Sequence, residues 1–358
     1  MTKEEREWYA NPYLRMLVSP MRRDLMSGRV LPRDFLLRFT ILNIPGSRAS
    51  TFSSLMVAPD LIEHRRYKSQ AGRVGHYIEC NKAVIEMSEQ RQYWRKIPSK
   101  NAQFNIPYFQ ARTGHLLRLR VLQELELLAQ HLQPRPRAAG ESPVMRRLTR
   151  AEFNNIKETG VIPFEKAIAV IVVPPVNMNP KTKQRPIPAD SSLPPQEDDR
   201  PIPEKPLPPL CTLLPTVKDD PLVDVPTTPQ YLPPAKVPLY HGLAAFPSRA
   251  QRAALHKALN RILSIERTAR WREHGRPEGT VEGEEGRKQE DPWARGDKKG
   301  SHAYIIFSSA DTVLRADTVP LAIALWRLRL WEGDGWDNKS KNTSAGGWKI
   351  ILPKRLPS

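Results

Sequence analysis

The chain has 358 residues, enough at roughly 100–200 residues per domain for two or three folded units, and one residue in ten is proline. Its 56 Lys and Arg against 38 Asp and Glu leave a formal charge of +18, which points to a polyanionic partner, most simply nucleic acid. No apolar run approaches the ~18 residues of a membrane span, and two cysteines, Cys80 and Cys211, exclude a disulfide framework.

Residues 1–10 read as a flexible start, and Glu4, Glu5 and Glu7 depart from the acid-poor pattern of a mitochondrial presequence. An arginine-rich α/β unit is expected over 11–133. Of the 26 basic residues up to Arg150, 21 are arginine, the side chain best suited to bidentate phosphate contact. Within this unit, 33–39 reads as a short strand or helix entering a core, and 76–80 as a strand. Asn81 is placed to cap a helix carrying Val84, Ile85 and Met87. The strongest helical signal is 116–132, where Leu117, Val121, Leu125, Leu128 and Leu132 form a stripe at helical spacing, broadened by Leu122. Pro134 and Pro136 end it.

Farther on, Thr149 and Glu152 have capping-box spacing and open a short helix that Gly160 breaks. The run 167–173 is apolar at successive positions, as in a strand covered on both faces. From 174 to 238 there are 19 prolines and a single aromatic, Tyr231, so this segment reads as a polyproline-like linker without helix or sheet. Ser248 then caps a long helix with Leu255, Leu259, Ile262 and Ala269 on one face and cations around the rest. Residues 275–300 read as a charged loop, 302–307 as a buried strand, and Asp317 or Thr318 as the cap of a last helix with Pro320 in its first turn. Pairing of the strand at Val170 with the strand at Ile305 would make 149–173 and 239–332 two halves of one α/β domain, with 333–358 a flexible basic tail. The expected fold class is α/β or α+β: a small mixed sheet with flanking helices, interrupted by a long proline-rich disordered segment.

Signatures of catalysis are absent from the sequence. There is no phosphate loop, no dinucleotide fingerprint and no nucleophile elbow, and the eight histidines show no metal-ligand spacing. No enzyme activity, catalytic residue, metal or cofactor is therefore expected, and His302 reads as the satisfied polar start of a strand. Cations interleaved with aromatics are more informative, because cations neutralise phosphates while aromatic faces stack on unpaired bases. Arg22 and Arg23, then Arg65, Arg66, Tyr67 and Lys68, then Trp94, Arg95 and Lys96, are the candidate nucleic-acid contacts of the first unit. Arg252, Lys257 and Arg261 are those of the long helix after Ser248.

The stretches Asn11-Pro12-Tyr13-Leu14-Arg15, Leu31-Pro32-Arg33-Asp34-Phe35 and Gly160-Val161-Ile162-Pro163, with the strands 167–173 and 301–307, resemble a group of basic fungal mitochondrial proteins tied to respiratory growth and mitochondrial translation. This resemblance implies a place in the mitochondrial matrix, near the mitochondrial ribosome. Together with the charge, it sets the expectation of a non-enzymatic RNA-binding protein of a ribonucleoprotein, a ribosome component or an assembly or translation factor. Its partners would be rRNA or other RNA and ribosomal or other ribonucleoprotein proteins, without transmembrane insertion. The rival expectations are a protein–protein scaffold using the proline-rich arm and a DNA-binding protein maintaining the mitochondrial genome.

Overall fold

The computed structural model describes residues 1–44, 54–68, 74–90, 102–135, 137, 141–178, 183–189, 191, 207–216, 236–274 and 300–333. The fold mixes helices with small sheets and divides into two compact units, one of Met16–Arg120 with Ile323–Ser358 and one of Met1–Arg15 with Val121–Ala322. Each is named below by its main sheet. Where the sequence suggests boundaries in linkers, the units change over inside helices.

Two short helices, α1 (Lys3–Tyr9) and α2 (Pro12–Val18), open the chain. The expected flexible start is thus replaced by α1. Thr2 and Glu5 close a capping box on it, the backbone N–H of each donating to the side chain of the other. The four-stranded unit begins with an antiparallel hairpin of β1 (Met21–Arg23) and β2 (Val30–Pro32). It continues into β3 (Leu36–Ile44), β4 (Ser54–Asp60), β5 (His76–Glu79) and β6 (Ala102–Gln103), in the order β5-β3-β4-β6. Buried Leu37, Phe39, Val57, Ile78, Ile85 and Phe109 belong to the core of this unit.

Asn81 caps α3 (Lys82–Gln90) as expected, its side-chain oxygen accepting from the Ala83 N–H at 3.0 Å. The leucine-rich helix, α4 (Ile106–Leu132), begins a full ten residues earlier than its stripe indicates. Its start is set by Asn105, whose side chain accepts from the Tyr108 N–H at 3.0 Å. Nor is its burial confined to the broadened stripe: Leu116, Leu119 and Leu127 are buried along with Leu117, Val121, Leu122, Leu125, Leu128 and Leu132.

The five-stranded unit is built from β7 (Met145–Thr149), α5 (Arg150–Thr159), β8 (Ala167–Val172), β9 (Cys211–Pro215), β10 (Lys236–His241), α6 (Gly242–Ala245), α7 (Arg249–His274), β11 (Gly300–Phe307), α8 (Thr312–Arg315) and part of α9 (Val319–Trp331). Its sheet runs β7-β11-β8-β10-β9. Ile305 lies opposite Val170 in the antiparallel ladder, the pairing expected from the two apolar runs. The row Leu239–Val170–Ile305 joins Ile156, Leu148 and Phe307 in one core cluster. The neighbouring row Tyr240–Ile171–Tyr304 points to the opposite face and is buried too, so the centre of the sheet is covered on both sides.

Two expectations for the proline-rich segment need correction. Cys211–Pro215 is a strand within it, and Lys236–Pro238 already belongs to β10. Strand β9 lies at the sheet edge, where proline is tolerated, and the parallel ladder of β10 to β8 starts at Leu239, one residue past the Pro238 nitrogen that has no hydrogen to give. Residues 174–178, 183–189, 191 and 207–210 contain neither helix nor strand, as expected; nearly all of the rest of the segment, of the charged loop and of the tail lies outside the described residues.

Helix ends follow local chemistry. The capping box of Thr149 and Glu152 is formed, and Gly160 ends α5 at φ +67°, a left-handed conformation that suits glycine. Asp317 caps α9 by accepting from the Val319 N–H at 3.0 Å, while the Thr318 hydroxyl donates to the Phe307 carbonyl at 2.7 Å and ties the helix to β11. Arg315 and Glu266 form an ion pair at 2.7 Å with side chains only 8% and 7% exposed. Burial drives the Glu266 pKa above its ordinary range, with Arg315 opposing. Replacing Arg315 by alanine removes the main counter-charge of that carboxylate, leaving it the Val144 N–H and the charge of Arg137, and urea unfolding should then show a loss of about 3–5 kcal/mol. A loss below about 1 kcal/mol would mean that the pair is effectively solvated.

Candidate functional site

In the four-stranded unit, the β1–β2 hairpin is held at its root by Asp24. One oxygen of this buried carboxylate accepts from the Ser27 N–H and hydroxyl at 2.5 and 2.6 Å, and the other from the Glu79 N–H at 3.2 Å. Gly28, at φ +75°, lets the turn close. Thus anchored, the hairpin carries Arg22, Arg23 and Arg29 exposed, with Arg33 just past it. The Arg22 guanidinium lies 5.8 Å from the Tyr77 ring centroid. Burial, and then the charge of Asp24, push the Glu79 pKa up, with Arg29 opposing.

The second cationic element of this unit is the turn after β4. Arg65 and Arg66 are exposed there, and the His64 ring nitrogen Nδ1 accepts from the Arg66 N–H at 3.2 Å, which shapes the turn. Tyr67 is 44% exposed and stands edge-on to His64. Lys68 is committed differently: its ammonium pairs at 3.0 Å with the buried carboxylate of Glu63. Among the described residues, no carboxylate forms a salt bridge with Arg22, Arg23, Arg29, Arg65 or Arg66. Trp94, Arg95 and Lys96 lie outside the described residues.

The candidates on α7 belong to the five-stranded unit, so the sequence-derived set is divided between the two units. Arg252 donates to the carbonyls of Phe246 and Pro247, both at 3.1 Å, and so fastens the start of its own helix. Arg261 donates to both oxygens of Glu126 at 2.5 and 2.6 Å. Partial burial alone would raise the Glu126 pKa, but hydrogen bonds from Gln130 and Arg261, with the charges of Arg261 and Lys257, hold it below the ordinary range. Lys257 remains exposed. Two of these three cations therefore serve the fold first.

The five-stranded unit also contains a cleft of about 370 Å³ that the sequence reading missed. It lies at the carboxyl ends of the parallel pair β8 and β10, beside the start of β11. Arg150, Phe153, Asn154 and Lys157, at i, i+3, i+4 and i+7, line it from one face of α5. His241 and His302 line it from the strand ends, with Val172, Pro174, Pro208 and Leu243 as apolar wall. The spacing on α5 was legible once the capping box had set the helix frame. His241 is hidden in the sequence because the first half of its strand, Lys236–Pro238, falls in the stretch that reads as linker.

Burial, then the charge of Lys157, lower the His241 pKa; burial, then Arg147 and Arg150, lower that of His302. His256 on α7 is lowered by burial, Arg147 and His302. Among the described residues no group of three or more His, Cys, Asp or Glu could hold a metal ion, and no helix is long and apolar enough to cross a membrane. No protein-family model, curated protein or solved structure matches the chain.

All three histidines bind protons less readily folded than unfolded, relative to the ordinary value of 6.5. Unfolding therefore takes up protons around and below that pH, and stability falls as the pH drops through this range. Replacing all three with asparagine should make the urea midpoint change less than the parent's between about pH 7.5 and pH 5.5. Identical pH profiles would show that these imidazoles are not held neutral by the fold.

Proposed function

We propose that the protein binds RNA without catalysing a reaction, as a component, assembly factor or translation factor of a ribonucleoprotein, with the mitochondrial ribosome the leading candidate. The observation that carries this reading is the set of exposed arginines on the β1–β2 hairpin and the turn after β4, which have no salt-bridge partner among the described residues. Exposed guanidinium groups attract phosphates and release their counterions, and an exposed tyrosine beside them offers a face to an unpaired base. The mitochondrial placement rests on the resemblance in the opening and strand motifs. Phosphate charge alone serves DNA as well as RNA, so the test must separate them.

Sedimentation of tagged protein from organelle lysate should place it with a ribosomal subunit, and RNase treatment should release it. Migration as a light species indifferent to RNase would reject the ribonucleoprotein reading, and release by DNase alone would replace RNA with DNA.

The structure also sorts the cations. With purified protein and an RNA ligand, Arg65→Gln/Arg66→Gln should make the dependence of log affinity on log salt shallower by about 1.4–1.8, at roughly 0.7–0.9 per lost phosphate contact. Arg261→Gln should leave that slope unchanged while reducing folding stability by up to about 1 kcal/mol, since its guanidinium is engaged by Glu126. Equal slopes for the parent and the Arg65/Arg66 variant would remove the turn from the interface.

A further inference from the structure

The cleft at the sheet end lies wholly within the five-stranded unit and is independent of the RNA-binding reading. We propose that it binds a small phosphorylated ligand of nucleotide size. Its volume of about 370 Å³ falls within the range of small-molecule sites. Its described lining contains Arg150, Lys157, His241 and His302 and no carboxylate. One arginine fork satisfies a simple carboxylate, whereas a phosphate has oxygens for several donors at once; a guanidinium, an ammonium and two imidazoles around one cavity fit the latter. The apolar wall of Phe153, Val172, Pro174, Pro208 and Leu243 would cover the less charged part of such a molecule.

The site is built before a ligand arrives. The capping box fixes the start of α5, and Ile156 and Phe153, three residues apart on that helix, both pack on the sheet core. The Lys157 ammonium rests 4.3 Å from the Phe153 ring centroid, which restrains an otherwise flexible cation at the cleft wall. At the floor, Gly242 carries the chain out of β10 past the end of β8. A Cβ there would come within 2.9 Å of the Val172 carbonyl oxygen, so the close approach requires glycine. Burial and neighbouring cations disfavour protonation of both imidazoles, and a bound phosphate would offset that repulsion.

Isothermal titration of the full chain with ADP and with inorganic pyrophosphate tests the proposal. Saturable one-site binding is expected, weakened at least about tenfold by Arg150→Gln/Lys157→Gln through the loss of two charge-assisted contacts. Lys166→Gln removes the same kind of charge at the opposite end of β8 and should alter affinity by less than about twofold, because salt screens it at that distance. If the double variant melts early, His241→Asn serves in its place. Tighter binding of ADP than of pyrophosphate assigns the ligand as a nucleotide, and equal binding assigns recognition to the phosphates alone. Absence of saturable binding by both probes, or an equal loss in Lys166→Gln, overturns the proposal.

Discussion

Strand β8 is the constraint on which the five-stranded unit depends. It is paired along both edges, to β10 and β11, and its Val170 and Ile171 are buried on opposite faces. A strand in that position can carry no polar side chain at its centre without a buried partner, which is why its sequence is an unbroken apolar run. The consequences extend outward. The row through Val170 supplies one core, the row through Ile171 the other, and the strand's end at Val172 becomes a wall of the cleft. A charged residue at Val170 would therefore disturb packing and cleft together.

How much of this was legible follows from how local each signal is. The box of Thr149 and Glu152, the Asn81 cap and the Gly160 stop depend on atoms a few residues apart, and all three are formed as the sequence suggests. The Val170–Ile305 pairing is long-range, yet it too was legible, because two strongly apolar strands have few alternatives for burial. Strand β9 was not. Its apolar residues, Leu213 and Leu214, sit among prolines that exclude most regular structure, and only an adjacent β10 makes an edge position available to them. The start of α4 was hidden for another reason: its periodicity weakens near Gly114, while the decisive signal is the single Asn105 side chain.

The candidate nucleic-acid interface shows the same division. The arginines of the hairpin and the turn after β4 stand exposed. Lys68 and Arg261 look equivalent to them in sequence, but the structure gives each a carboxylate from elsewhere in the chain. Composition counts a cation without knowing its partner. In this protein the partner is sometimes near, as with Glu63 and Lys68, and sometimes as remote as Glu126 and Arg261.

That distinction governs how the charge of +18 can act. The pairs Arg15–Asp317, Arg38–Asp60, Arg118–Glu332, Arg146–Glu152 and Arg315–Glu266 each cancel, so they use arginine without adding to the surplus. The Glu152 carboxyl illustrates the cost and the return: burial would raise its pKa, but two Arg146 hydrogen bonds and the Thr149 N–H hold it below the ordinary range, and α5 is fixed in the process. Arginine is therefore abundant for two separate reasons. Its planar fork is matched to carboxylates that are buried or partly buried inside each unit, and the same fork, left exposed on the hairpin and the turn, is matched to phosphate. Among the described residues the arginines of the hairpin and the turn carry charge that no salt bridge cancels, so where they stand bears on binding as well as the total charge does.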